Sequence, residues 1–322
     1  MLVSHFSAKF AQNQKKRFMI NRVLIRLKVV QIVYAYYKNS GKSIKAAEDE
    51  VFFSLSKAYD LYSHLLLLMV GITHYEADRI AFFSKKGASA DSPNLKFVNN
   101  RFIAQLEKNE QLVKFAEKSK LDWVESSDFL RRILADITES DIYKEYMASE
   151  VSSYEEDKEL WRKLYKAFVV ENEELDALLE EQSLYWNDDK SIVDSFVLKT
   201  IKRFEENEGG EQSLLPEYKD VADMDFARKL FKNAIINADE YRELMSSCSK
   251  NWDMKRLAFM DVVVMQTALA EILTFGDIPL SVSLNEYVEI AKYYSTAKSG
   301  SFVNGLLDSI TKRLRSEGKL NK

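Results

Sequence analysis

The first residues that could bind a charged ligand are three cations in one predicted helix. Arg22 and Arg26 are one helical turn apart, so both side chains point the same way, and Lys28 lies on a neighbouring face. A guanidinium group is planar and can donate two parallel hydrogen bonds to one phosphate. This spacing therefore predicts a phosphate-binding helix near the start of the chain.

A second candidate site lies in a short polar segment near the C-terminus, with the sequence AKSGS. It holds Lys298, Ser299 and Ser301, whose charge, hydroxyl groups and amides can contact phosphates or base edges. The amides that open the following helix favour an anion. Phe302 comes next, and it either starts the apolar stripe of that helix or offers a ring on which an unpaired base stacks. Periodicity alone favours the core interpretation of Phe302.

The charge distribution favours a site built from both ends of the chain. Residues 1–47 hold ten Lys or Arg and no Asp or Glu, and residues 292–322 hold seven Lys or Arg against two acidic residues. The whole chain has a net charge of −4, so the part between them carries −19. Charge separated in this way indicates a polyanion-binding surface beside an acidic body. Basic termini without a function are the alternative.

The sequence contains no recognisable catalytic or metal-binding constellation. His5, His64 and His74 do not have the i, i+4 spacing of a helical metal site and are expected to be structural or surface residues. The single Cys248 can form neither an internal disulfide nor a cysteine-based zinc site. The longest dense apolar stretch, residues 65–70, is too short to span a membrane. We expect a cytoplasmic protein that is not an enzyme and needs no metal or cofactor.

Apolar residues recur at helical spacing along most of the chain, and glycine and proline are scarce. In the first helix, Tyr34 and Tyr37 continue an apolar stripe. These features predict an all-α fold with long helices joined by polar links. The predicted helical segments are 22–38, one or two helices in 47–83, and then 95–119, 126–148, 223–247, 253–275, 282–296 and 302–314.

Part of the middle resembles a duplicated helical hairpin. The motif RKLYK at 162–166 returns as RKLFK at 228–232, and the offset of 66 residues continues without a gap. The same offset relates Trp186 to Trp252. Each copy predicts a long helix, a short link ending at Trp and a second helix.

Near the C-terminus the sequence resembles a known family. Residues 277–308, DIPLSVSLNEYVEIAKYYSTAKSGSFVNGLLD, are similar to the C-terminal signature of NusB proteins. That signature runs D-[IV]-P, then I/L-N-E-x-[IV]-E-[IL]-A-K, then a loop, then F-[VI]-N-G-[VL]-L-D. Several motifs in a fixed order make the resemblance specific.

The start of the chain is similar to the same family. The pattern R-x-x-x-R-x-x-x-V-Q-x-x-Y that begins at Arg22 resembles the family's basic first helix, and residues 226–245 resemble its next long helix. The resemblance covers about 20–40 and 223–317. Residues 41–222 resemble the insert of a long form of NusB, in which extra helices follow the first one.

The resemblance implies an all-α, NusB-like helical bundle with an additional inserted helical region. NusB proteins bind the boxA element of nascent RNA together with a small-subunit ribosomal protein that doubles as NusE. The complex joins RNA polymerase and suppresses termination, notably on ribosomal RNA operons. At matched positions, Asp261 would face the basic NusE-like partner. The RNA contacts would come from Arg22 and Arg26 in the first helix and from Lys298, Ser299, Ser301 and Phe302 in the loop.

The predicted organisation has five parts, with a disordered or non-native extension at the start and a tail at the end. They are the extension 1–18, the first helix of the NusB-like core 19–40, the inserted helical region 41–222, the C-terminal core 223–317 and the tail 318–322.

Two departures affect the predicted RNA site. Val23 and Leu24 replace some of the consecutive arginines common in the family's first helix, and Lys298, Gly300 and Ser301 replace an acidic residue and a His-Lys pair in its loop. A lysine in place of an acid should strengthen phosphate attraction by about 1 kcal/mol at an exposed site. The RNA sequence preference therefore stays open.

Two other functions stay open at this point. A NusB-like RNA-binding domain of an RNA methyltransferase is one, although no strand–Gly-loop–helix cofactor pattern is present in the sequence. A non-catalytic helical adaptor, whose insert supplies the protein contacts, is the other. The sequence does not determine what the insert binds or the oligomeric state.

Overall fold

The computed structural model describes residues 19–39, 43–85, 94–119, 122–218, 220–249, 257–296 and 298–321. These residues form helices without a β-strand; only an isolated bridge joins Ile20 and Tyr218. The predicted all-α fold with an extra helical region is confirmed. Within the same ranges no helix is both long and apolar enough to cross a membrane. The predicted extension 1–18 lies outside the described residues.

The helices are numbered here in chain order. They are α1 (Arg22–Lys38), α2 (Ile44–Lys85), α3 (Arg101–Glu107), α4 (Glu110–Lys118), α5 (Ser127–Glu139), α6 (Asp141–Ala148), α7 (Tyr154–Leu164), α8 (Glu173–Gln182), α9 (Lys190–Arg203), α10 (Val221–Ile236), α11 (Ala238–Cys248), α12 (Phe259–Thr274), α13 (Leu280–Tyr294) and α14 (Ser299–Ser316). Short 3₁₀ turns at Trp123–Ser126 and Glu206–Glu211 and a π-turn at Tyr165–Val169 complete them.

The chain divides into two compact units. The core unit contains Ile20–Leu55 and Tyr218–Lys322, and the insert unit contains Ser56–Glu217 with Met19. Helix α2 starts in the core unit and continues into the insert unit. The structural division falls at Leu55 and Glu217. The insert boundaries at 41 and 222, which come from the family resemblance, stay predictions.

Helix α12 is the centre of the core unit. It packs against α1, α10, α11, α13 and α14, and it is buried on nearly every side. A helix that is apolar almost all round is expected in that position. Some of its buried polar groups bond within the core unit: Gln266 Nε2 donates to the Ala234 carbonyl (2.6 Å), and Thr267 Oγ1 donates to the Val263 carbonyl (2.9 Å). Glu271 has a larger network, described below.

The insert unit repeats part of the core unit. Shifted by 66 residues, α8 would occupy 239–248 and α9 would occupy 256–269, close to the observed α11 and α12. One local difference is the π-turn after α7. Lys190 Nζ donates a hydrogen bond to the carbonyl of Val169, the last residue of this turn (2.7 Å). The long helix predicted for each copy is broken, into α7 and α8 in the insert unit and into α10 and α11 in the core unit. The matching positions of the later helices support a duplication.

Candidate nucleic-acid interface

Arg26 lies inside the core unit, with 3% of its side chain exposed. Its Nε and Nη2 donate to the two carboxylate oxygens of Glu271 at 2.7 and 2.9 Å. Glu271 also accepts from Ser283 Oγ (2.7 Å) and from the Tyr287 hydroxyl (3.0 Å), so its carboxylate has four donors. Burial lowers the pKa of Arg26, but the bond and charge of Glu271 outweigh it and the pKa is raised.

A second carboxylate completes this network. Glu286 lies 3.8 Å from the Arg26 guanidinium. Burial raises the pKa of Glu286 even though the Arg26 charge acts in the opposite direction. The Arg26 guanidinium, which the sequence predicts to bind RNA, therefore pairs with two acidic side chains of its own unit. An RNA contact of Arg26 stays a prediction, and it would need this network to open.

The other two cations of α1 differ in access. Arg22 is half-exposed, and it lies 3.7 Å from an oxygen of Asp223 and 3.8 Å from one of Asp277. Its guanidinium also packs over the Phe226 ring, 4.9 Å from the centroid. Lys28 is buried. Of the three, only Arg22 reaches the surface, and two carboxylates offset its charge there.

The loop before α14 presents some of its predicted residues and buries the others. Lys298 and Ser301 are exposed. Ser299 is 2% exposed and Phe302 8% exposed, so the ring of Phe302 packs in the core as its position on the apolar stripe predicts. Asp261 is buried as well and accepts a hydrogen bond from Ser299 Oγ (3.0 Å). The contact of Asp261 with a protein partner stays a prediction, and it would need this buried carboxylate to become accessible.

The structure does not bring the arginines of α1 next to Lys298. Arg22 pairs with Asp277, just before α13 begins, whereas Lys298 comes just after α13 ends. A helix of this length spans about 20 Å at 1.5 Å per residue. At the far end of α13, Tyr294 accepts a hydrogen bond from Gln31 Nε2 (2.9 Å). The loop therefore meets the C-terminal half of α1 instead of its arginine end.

That half of α1 carries an aromatic surface, defined here as Tyr34, Tyr37, Lys38, Arg242 and Phe259. The rings of Tyr34 and Tyr37 lie 5.5 and 6.0 Å from the Phe259 ring. Lys38 Nζ is 4.8 Å from the Phe259 centroid, and the Arg242 guanidinium is 4.9 Å from the Tyr37 centroid. The three rings are partly exposed and Lys38 is exposed. Positive charge held over accessible rings is suited to single-stranded nucleic acid.

The aromatic surface adjoins the loop through α12. Phe259 is the first residue of α12, and Asp261, two residues later, bonds to Ser299 beside Lys298. The start of α12 thus lies between the partly exposed rings with Lys38, at Phe259, and the loop with the exposed Lys298, at Asp261. This combination can attract a phosphate backbone and stack unpaired bases.

Sequence reasoning assigned Tyr34 and Tyr37 to the core stripe and did not select Lys38 or Arg242. A signal was available for part of this surface, because Tyr34 and Lys38 are spaced i, i+4 on one helix face. No local pattern could indicate Phe259 and Arg242, which come from helices more than two hundred residues further along the chain.

The comparisons with known proteins identify one family. The model of the NusB family matches residues 195–312, from within α9 to within α14, and it leaves α1 outside the match. The transcription antitermination protein NusB of Salinibacter ruber is 38% identical over 132 residues, covering 39% of this chain and 82% of the relative. No solved structure gave a significant match.

Two further relatives are similar over shorter stretches. NusB of Desulfatibacillum aliphaticivorans is 41% identical over 107 residues, 33% of this chain and 73% of the relative. NusB of Chloroherpeton thalassium is 38% identical over 113 residues, 34% of this chain and 54% of the relative. All three are curated as transcription antitermination proteins.

Proposed function

Because this chain belongs to the NusB family, we propose that it is a transcription antitermination factor that acts by binding single-stranded RNA. The observation that carries the proposal is the junction of Tyr34 and Lys38 of α1 with Phe259 of α12, two residues before the Asp261 that bonds to the loop of the exposed Lys298. Rings and cations at one place supply both stacking and phosphate attraction.

The proposed ligand is boxA-type RNA. Lys298, Lys38 and Arg242 would contact phosphates, and Ser301 would donate from the loop. The carboxylates beside Arg22 make it a weaker phosphate ligand at the far end of α1. The buried residues of the predicted site, Arg26, Lys28, Ser299 and Phe302, would support these contacts by holding α1 and the loop in place.

The proposal includes partners and location. The chain would bind RNA together with a NusE-like small-subunit ribosomal protein, join the RNA polymerase antitermination complex on ribosomal RNA operons, and act in the cytoplasm without catalysis. The insert has the opposite charge, because residues 56–217 hold 21 Lys or Arg against 33 Asp or Glu. That acidic insert is expected to contribute little to RNA affinity, because it repels a polyanion.

Replacing Lys298 by alanine tests the loop. We expect a three- to fivefold weaker affinity, roughly 1 kcal/mol or less for one exposed charge. The slope of log affinity against log salt should flatten by about 0.7, as expected for one lost phosphate contact on a single strand. Fluorescence anisotropy with a short boxA-like RNA at several salt concentrations measures both quantities.

The matched control for the loop is Lys312→Ala. Lys312 is exposed on α14 and pairs with Asp308 at 2.7 Å. Its removal should leave the affinity and the salt slope nearly unchanged. Equal effects of the two substitutions would mean that the RNA responds only to overall charge, and the loop assignment would be wrong.

Replacing Tyr34 by alanine tests the stacking surface. Loss of one base–aromatic contact costs about 1–3 kcal/mol, so the affinity should fall at least fivefold. Tyr34→Phe keeps the ring and should bind almost as the wild type does. Phe53→Ala is the control, because Phe53 is an exposed ring of the core unit that is not part of the aromatic surface. If both alanine variants lose the same affinity, the Tyr34 ring does not stack on the RNA and the assignment of the stacking surface is wrong.

A further inference from the structure

We propose that Asp261 is a positioning residue for RNA binding, which fixes the Lys298 loop through Ser299. The inference rests on the proposed function, and it gives Asp261 a role different from the protein contact that the family resemblance suggests. Asp261 lies in the first turn of α12, and Ser299 opens α14. The two residues are 38 positions apart in the chain, so their bond ties the loop to the central helix.

Ser299 is the centre of the hydrogen bonds in this loop. Its Oγ lies 3.0 Å from Asp261 Oδ2, 3.0 Å from the Thr296 amide nitrogen, 2.9 Å from Thr296 Oγ1 and 3.0 Å from Ser295 Oγ. A serine hydroxyl has one proton to donate and two lone pairs. The carboxylate can only accept, so the Ser299 proton goes to Asp261. The lone pairs of Ser299 then accept from the Thr296 amide and from a neighbouring hydroxyl.

The charge of Asp261 is placed where two helices begin. Neither Ala258, which precedes α12, nor Lys298, which precedes α14, caps its helix with a side chain. The amides at both helix starts favour a negative charge, and the Asp261 carboxylate supplies it. Its Oδ1 is buried and has no hydrogen-bond partner among the described residues. Such an oxygen is costly to keep, which argues against simple packing as the reason for an acid here.

This arrangement determines how the loop meets RNA. Lys298 directly precedes Ser299, so fixing Ser299 fixes the backbone of Lys298 and leaves its side chain exposed. The Asp261 carboxylate also repels an anion from the start of α14, so phosphates are directed to Lys298 and Ser301. If the Asp261–Ser299 bond is lost, the RNA must order the loop on binding, and that cost weakens the affinity.

The test compares Asp261→Ala, Ser299→Ala, the double variant and Asp261→Asn in the full chain, with boxA-like RNA as the probe. We expect Asp261→Ala and Ser299→Ala each to weaken binding roughly three- to tenfold, the cost of ordering one or two side chains. The double variant should be no weaker than either single variant. Asp261→Asn keeps an acceptor for Ser299 but not the charge, so its affinity should lie between those of Asp261→Ala and the wild type.

A combination with Lys298→Ala distinguishes positioning from a general loss of structure. In the Asp261→Ala background, removing Lys298 should have a smaller effect than in the wild type, because the loop is no longer held. Thermal unfolding should show that the variants remain folded. If Asp261→Ala does not fold, the effect of Lys298→Ala is measured in the Ser299→Ala and Asp261→Asn backgrounds instead.

The outcomes separate this inference from the proposed function. If the wild-type chain does not bind RNA, the proposed function fails and the positioning role fails with it. If the wild type binds and Asp261→Ala binds equally well, only the positioning role is overturned. Unchanged RNA affinity together with weaker binding of a basic ribosomal protein would instead support the partner contact.

Discussion

Replacing Arg26 by alanine is expected to destabilise the core unit by about 3–5 kcal/mol, because it leaves the buried Glu271 carboxylate without its cation. Glu271 is fully buried and loses two of its four donors in this variant. Ser283 and Tyr287 cannot supply a charge. Urea unfolding followed by circular dichroism measures the loss, and RNA binding should fall only to the extent that the core unit unfolds.

The controls for Arg26 separate burial from charge. Arg22→Ala removes a half-exposed arginine from the same helix and should cost less than about 1 kcal/mol. The double variant Arg26→Met with Glu271→Met removes both charges and should be more stable than Arg26→Ala. An Arg26→Ala chain that keeps wild-type stability but loses RNA affinity would mean that Arg26 faces the ligand, contrary to the network described here.

The helical segments could be predicted from apolar periodicity, but their breaks could not. The predicted helix 223–247 is two helices that meet at Asn237, and the predicted helix 126–148 breaks at Ser140. At the second break, Ser140 Oγ accepts a hydrogen bond from the Tyr143 amide, which starts a new helix. Periodicity continues across such caps because both helices bury the same face, so it does not show where one helix ends.

The candidate site shows a similar division between local and long-range information. The type and spacing of Arg22 and Arg26 indicate a paired cationic face, but the acid that binds Arg26 lies 245 residues away. No local pattern reveals that partner, and a buried arginine has the same sequence signature as an exposed one. The exposure of Lys298 could be predicted, because a short polar loop before a helix normally lies on the surface.

His64 is a buried titratable group of the insert unit. Its ring is 1% exposed and stacks on the Trp123 indole, with centroids 4.2 Å apart and an interplanar angle of 11°. Trp186 lies at 5.7 Å. The Trp123 Nε1 donates to the His64 carbonyl (2.9 Å), so the stack is held by the backbone as well. Burial lowers the pKa of His64 to about 4, because a charged imidazole between these rings would lose its hydration.

This depressed pKa predicts that the insert unit loses stability in acid. An unfolded chain protonates His64 near pH 6.5, whereas the folded chain resists protonation until about pH 4. The free energy of unfolding should therefore fall as the pH drops from 6.5 to 4, by roughly 3 kcal/mol in total from this group. Urea unfolding followed by tryptophan fluorescence at pH 7.5 and 4.5 measures the change, and three of the four tryptophans lie in the insert unit.

The difference between wild type and His64→Phe isolates this contribution from the carboxyl groups that titrate in the same range. The variant keeps an aromatic ring between Trp123 and Trp186 and has no group to protonate, so its stability should depend less on pH. His74→Phe is the matched control, since His74 is half-exposed and lies 3.2 Å from Glu107. An equal pH dependence in wild type and His64→Phe would mean that the buried imidazole accepts its proton without cost, and the explanation by burial would be wrong.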